Sequence, residues 1–144
     1  MNTHIRKIRN SDIYSVYNLV CELENTKFDY EVMKQIIMNV QTQDIIFVYE
    51  LNNYIVGYLV LHITYQLHHA GKVSEVIELC VHPEYRNQNI GSELLKYVVQ
   101  YSKEKGCVNI DITTNQKRKD AHRFYERHHF KQTHYKYTMN LKEE

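Results

Sequence analysis

Asn52 and Asn53 stand alone between two apolar, β-rich runs, "DIIFVYEL" (44–51) and "YIVGYLVLHITY" (54–65). Asparagine enters the left-handed backbone region several-fold more readily than most residues, so two in succession suit a two-residue hairpin turn. The pattern predicts an antiparallel pair. "QLHHAGK" then reads as the next turn and "VSEVIELCV" (73–81) as the next strand.

On either side the period changes from two to 3.6. "HIRKIR" alternates as a first strand; Ser11 is then placed to cap a helix through about Glu24, with Ile13, Val16, Tyr17 and Val20 on one face. Asp29 is the candidate cap of a second helix whose Met33, Ile36, Ile37 and Val40 keep the i, i+3, i+4, i+7 spacing. After the three strands come a helix, "GSELLKYVVQYSKEK", stopped by Gly106, a strand "CVNIDITT", a helix "DAHRFYERHH" capped by Asp120, and a last strand "HYKYTMNL". The order is β, α, α, three antiparallel strands, α, β, α, β, without internal repeats or linkers.

A chain of 144 residues fits one domain over 1–144. Lys and Arg number 18 against 17 for Asp and Glu, a formal charge of +1, which offers no broad field for nucleic acid or an anionic membrane. Cys21, Cys80 and Cys107 are odd in number and far apart, each in an apolar segment; buried free thiols are expected rather than a disulfide framework or a zinc site. The N-terminus lacks a signal-peptide core and no apolar run approaches the roughly 20 residues that span a bilayer. The reading is of a soluble, cytoplasmic protein. Thirteen tyrosines mostly recur at strand-like alternating positions, which is packing before it is chemistry.

The join between Val81 and Gly91 carries the chemistry. The chain leaves a strand, passes its only proline, and enters a helix whose first turn presents unpaired N–H groups, a natural anion site. Close approach of a diphosphate needs a missing side chain, which Gly91 supplies, and a cheap positive φ, which Asn89 supplies; Arg86 adds a fixed cation. The bland alternative is that Asn89 and Gly91 merely cap a surface helix.

"LCVHPEYRNQNIGSELL" resembles the acetyl-CoA loop of the GNAT acetyltransferases: an apolar-x-Pro strand end, then Arg or Gln, two residues, Gly, one residue, Gly or Ala. Asn89 departs from it at the first glycine. "AHRFYERHHF" is similar to the family's second signature, a Phe-Tyr pair on a helix before a "GF" strand start, with His129 in place of the glycine. "CELENTKFD", "LHHAGKVSEVIEL", "IGSELL" and "KRKDAHRFYERHHF" look like stretches of bacterial aminoalkylphosphonate N-acetyltransferases. The resemblance implies an α/β (α+β) fold with a mixed sheet of about six to seven strands, about four helices, and strands 4 and 5 splayed. It implies acetyl-CoA as cosubstrate, bound by Leu79, Cys80 and Val81, by the loop Arg86, Asn87, Gln88, Asn89, Ile90, Gly91 and Ser92, and by Asn115. A bulge in the central strand would free an N–H to polarise the thioester carbonyl.

Tyr125 of the Phe-Tyr pair is the candidate acid for the departing thiolate. Glu78 and Glu75 are the candidates to take a proton from the amine, although three positions apart on a regular strand they face opposite ways unless a bulge intervenes. His68, His69 and Arg123 are the candidates for an anionic acceptor, and His68 and His69 with His62 also for a divalent ion; a histidine-rich surface turn and a solvated basic face are the competing readings. Lys117, Arg118 and Lys119 fit either the acceptor or the cofactor's phosphates. The resulting expectation is an acetyl-CoA-dependent transferase acting on a small primary amine, an aminoalkylphosphonate or amino acid, by direct attack in a ternary complex. Protein lysine or N-terminal acetylation, a non-catalytic acetyl-CoA-binding module, and nucleic-acid binding are the rivals, the last disfavoured by the near-neutral charge. Family analogy adds a homodimer.

Overall fold

The computed structural model describes residues 3–113 and 119–142. The chain divides into two compact units, one ending at Thr113 and one beginning at Thr114.

The first unit is a five-stranded mixed sheet, ordered β1 (Ile5–Lys7), β2 (Asp44–Leu51), β3 (Tyr54–Gln66), β4 (Gly71–Val81), β5 (Asn109–Ile112). All neighbours are antiparallel except β4 and β5, which run parallel. The predicted hairpin forms: Asn52 (φ 51°) and Asn53 (φ 67°) both take left-handed backbone between paired Leu51 and Tyr54.

One face of the sheet carries Ile46, Val48, Tyr58 and Val60 and packs on α1 (Ile13–Leu23) and α2 (Tyr30–Val40). Asp29 caps α2 as expected, its Oδ1 accepting the Val32 N–H at 3.0 Å. Ser11 does not cap α1. A 3-10 turn over Asn10–Asp12 precedes the helix, and it is Asp12 that accepts the Arg9 N–H at 2.7 Å. Ile36, read from its spacing as core, is 48% exposed because α2 turns only Ile37 fully inward, with Met33 and Val40 partly buried.

The opposite face packs on α3 (Ile90–Glu104). Phe47 meets the rings of Tyr97 and Tyr101 edge-on at 5.3 and 5.2 Å, and the buried Ser74 hydroxyl donates to Ser102 at 2.7 Å. Tyr49 Oη donates to Glu93 in the first turn of α3 at 2.5 Å; burial and then that carboxylate push the phenol up to about 12. Gly57 lets the helix start lie close: a Cβ there would meet the Cys80 carbonyl at 3.1 Å and Ile90 and Leu94 at 3.5 Å. Gly106 ends α3 as the spacing predicts, at φ 81°, with Cys107 N–H donating to Ser102 and Gly106 N–H to Lys103, a Schellman motif.

The second unit contains α4 (Lys119–Arg127), so the predicted cap Asp120 lies inside the first turn. Its end is another Schellman motif, Phe130 N–H to the Tyr125 carbonyl and His129 N–H to Glu126, with His129 at φ 71°. The expected last strand does not form: residues 131–140 have no strand assignment, and Tyr135, Tyr137, Met139 and Leu141 are exposed. Alternation is a local pattern, whereas a strand also needs a neighbour for its N–H and C=O groups. The described residues therefore hold five strands, not six to seven. The three thiols are free and half-buried rather than buried. No helix of the described residues is long and apolar enough to cross a membrane.

Asp12 also receives both terminal nitrogens of Arg6, at 2.6 and 3.0 Å, and Arg6 Nη2 reaches Glu50 at 2.8 Å. Burial alone would raise the Asp12 pKa; the Arg6 guanidinium and the Arg9 N–H outweigh it and hold the carboxyl below its ordinary value. Asp12→Asn is expected to lower stability at pH 7 by about 1–3 kcal/mol. The difference from the parent is full above the unfolded-state value near 4 and shrinks as pH falls through the lower folded-state value, as parallel denaturant melts at pH 7 and pH 3 would show. Gly57→Ala should cost about 1–3 kcal/mol through overpacking against a backbone carbonyl, read from the urea midpoint at unchanged m.

Candidate active site

The β4-to-α3 join turns through left-handed backbone. After His82 a 3-10 turn over Pro83–Tyr85 leads to Asn87 at φ 67° and Asn89 at φ 65°, two left-handed residues within one exposed loop. Asn89 is the N-cap residue of α3, and its side chain makes no capping hydrogen bond. Among the described residues, the N–H groups of Asn89, Ile90 and Gly91 do not donate to any of the turn, loop or cap carbonyls. Arg86 folds back so that its Nε donates to the Val81 carbonyl at 3.3 Å. Cation, loop and helix start thus lie at the end of one strand.

That strand outruns its parallel neighbour. β5 pairs with β4 only from Val73 to Val76, while β4 continues to Val81. Past Val76, through Leu79, Cys80 and Val81, the β5 side of β4 has no strand partner among the described residues.

The register against β3 slips at the same place. Leu61 pairs with Val76 but Val60 pairs with Glu78, which leaves Ile77 as an extra residue. The bulge reverses the expected alternation: Glu75 (opposite His62) and Glu78 (opposite Val60) stand on one face, spaced like alternate residues, roughly 7 Å along the strand. Tyr58 on the same face donates its hydroxyl to Glu78 at 3.0 Å. Burial, and then the neighbouring Cys80 and Glu78 charges, raise the phenol's pKa far above its usual value, so Tyr58 stays a donor. One strand over, His62 Nδ1 bonds Asp44 Oδ1.

Tyr58 and Asp44 were not singled out by sequence. Tyr58 is one of thirteen tyrosines; only its register opposite Cys80 and beside Glu78 distinguishes it. His68 and His69 stack at the tip of the β3–β4 hairpin with ring centroids 4.4 Å apart. The start of β4 at this tip lies about 20 Å along the strand from Glu78 and about 13 Å from Glu75. His82 Nε2 reaches Glu22 at the end of α1, at 2.9 Å. In the second unit, Tyr125 is half-buried between Phe124 and Phe130, at 5.4 and 6.2 Å, and Arg123 is exposed and paired with Asp120. Asn115, Lys117 and Arg118 lie outside the described residues. Among the described residues, no three His, Cys, Asp or Glu side chains are placed to hold a metal ion.

The acetyltransferase (GNAT) family profile matches residues 10–130. The chain is 37% identical over 139 residues to an aminoalkylphosphonate N-acetyltransferase of Salmonella typhimurium, covering 95% of this chain and 90% of that protein. Among solved structures it is similar to a transcriptional regulator from Bacillus halodurans C-125 (TM-score 0.87, 24% identity, 95% and 98% of the two chains). It also matches glucosamine-6-phosphate N-acetyltransferase from Arabidopsis thaliana (TM-score 0.79, 18% identity, 95% and 97%). A strand with a bulge at Ile77, feeding a helix whose N-cap side chain makes no capping hydrogen bond, is thus found in a chain that belongs to the GNAT acetyltransferase family.

Proposed function

We propose that the chain transfers the acetyl group of acetyl-CoA to the primary amine of a small acceptor bearing an acidic group, an aminoalkylphosphonate or an amino acid, by direct attack in a ternary complex. The observation that carries this is the coincidence, on β4, of the bulge at Ile77, the end of pairing with β5 at Val76 and the loop into α3. The 37% identity to the Salmonella enzyme supports the acceptor class. The residues fit acetyl-CoA: a pantetheine arm hydrogen-bonds like an added strand, and the flank at Leu79, Cys80 and Val81 offers the backbone for it. The segment Arg86, Asn87, Gln88, Asn89, Ile90, Gly91, Ser92 offers N–H donors and a cation to a diphosphate. Acetyl-CoA, when bound, supplies an activated thioester carbonyl and a thiolate leaving group.

The chain's residues supply the rest. The backbone at the bulge presents an N–H toward the carbonyl oxygen. Glu78 and Glu75 face the acceptor ammonium and draw its proton away, since a primary amine is mostly protonated at pH 7. Tyr125 donates the proton that the leaving sulfur needs, and Asn115 bonds the arm's amide. Arg123 takes the acceptor's anionic end, with His68 and His69 held as further candidates. Residues 1–144 act in this reading as one cytoplasmic domain, because the family match from 10 to 130 crosses the boundary between the two units.

A thiol-release assay with acetyl-CoA against aminoalkylphosphonates, amino acids, polyamines and peptides tests the proposal. Turnover confined to small anionic amines is expected; silence across the panel with acetyl-CoA still bound would leave a binding module instead. Tyr125→Phe should cut kcat about 100-fold while the KM for acetyl-CoA moves less than about twofold. Equal turnover removes Tyr125 from the acid's role. Asn89→Gly restores the residue common in the family at a left-handed position; it should raise stability by up to about 1 kcal/mol and leave the acetyl-CoA KM unchanged.

A further inference from the structure

The face that holds Glu75 and Glu78 continues across the sheet as a straight row. Glu75 stands opposite His62, and His62 stands opposite Asp44, so residues from β4, β3 and β2 are direct cross-strand neighbours on one side. Opposite residues have Cβ atoms about 5 Å apart. His62 bonds Asp44 through Nδ1. A carboxylate can only accept, which puts the hydrogen of the neutral imidazole on Nδ1 and leaves Nε2 a lone pair. Nε2 has no hydrogen-bond partner among the described residues. The side chains of His62 and Asp44 are 34% and 20% exposed, so the pair is sheltered yet reachable by water. An imidazole so held by an acid can take a proton and keep it beside a fixed negative charge.

We propose that His62 is the final acceptor of the proton shed by the acceptor amine, with Asp44 as the residue that positions it. This rests on the acetyl-transfer reading above and deepens it. The ammonium's N–H bond breaks and its electron pair stays on nitrogen for the attack on the thioester. The proton moves to a Glu75 oxygen, directly or through water, and from there to His62 Nε2, giving an imidazolium beside Asp44. Release of that proton to solvent resets the row. Glu75 acts as the relay, which gives a physical reason for a second glutamate on the face besides Glu78. The titratable neighbours of His62 on the adjoining strands are Asp44 on β2 and Glu75 on β4, with Asp111 opposite Glu75 on β5. The residues that α1 and α2 contribute to the cluster packed on this face are apolar, with the Tyr30 ring as their one aromatic group.

His62→Ala should lower kcat about 100-fold with the KM for acetyl-CoA within about twofold. Added imidazole should restore activity at least about tenfold, whereas pyrazole, of the same shape but a far weaker base, should not. His62→Asn, which can still donate to Asp44 but cannot carry the proton, should be as slow as His62→Ala with unchanged thermal stability. Asp44→Asn should slow the parent about tenfold but leave His62→Ala no slower, the non-additivity of groups acting as a unit. Equal rescue by pyrazole, a kcat in His62→Ala within about twofold of the parent, or strictly additive losses would each overturn the proposal. If the parent acetylates no amine in the panel, the acetyl-transfer reading falls and this relay with it; if the parent turns over and His62→Asn does so equally, only the relay falls.

Discussion

One extra residue in β4 governs the site. With Ile77 inserted, the strand changes which residues face which side midway along its length, and Glu78 joins Glu75 on the face shared with Tyr58 and His62. A regular strand would separate the two glutamates onto opposite faces, one of them directed at α3. The same stretch of β4 is where pairing with β5 stops. A bulge bends and twists the strand that carries it. The two acidic groups on one face follow from this local change of register.

The two sheet faces are held by different means, and the difference leaves room for chemistry. Against α3 the packing is tight and polar contacts are sparse and paired: Phe47 between two tyrosine rings, Ser74 on Ser102, Tyr49 on Glu93, with Gly57 admitting the helix start. Those contacts fix where the first turn of α3 points, and so where the loop from Arg86 to Ser92 stands. Against α1 and α2 the apolar cluster covers Ile46, Val48, Tyr58 and Val60. Beyond Val60 the same face becomes polar, with Asp44, His62 and Glu75 only partly buried. Charged groups there keep access to water, which spares them the cost of full burial.

Left-handed backbone recurs where the chain must turn sharply, and asparagine or histidine fills it more often than glycine. Asn87 and Asn89 shape the loop before α3, and His129 ends α4 through the same Schellman bonds that Gly106 makes after α3. The backbone hydrogen bonds at the α4 end hold His129 in a left-handed conformation that costs a non-glycine residue about 1 kcal/mol or more.

Much of the architecture was legible in local pattern. The Asn52–Asn53 turn, the Asp29 cap, the Gly106 stop and the left-handed Asn89 each depend on one or two residues whose chemistry dictates a backbone state, and all four are found as read. The run 134–141 had strand alternation but has no pairing partner among the described residues, and local pattern cannot supply one. The site needed more still. Counting back from Leu51 and Tyr54, Asp44 would face Leu61; the extra residue at Val56 moves it to His62. The extra residue at Ile77 likewise moves Glu78 beside Glu75. By itself the sequence determined the elements, their order and the turn and loop residues that punctuate them, because those are settled by each residue's own backbone preferences. Only the tertiary structure decided which side chains share a face, because a bulge is a property of the hydrogen bonds between two strands and is written in neither strand alone.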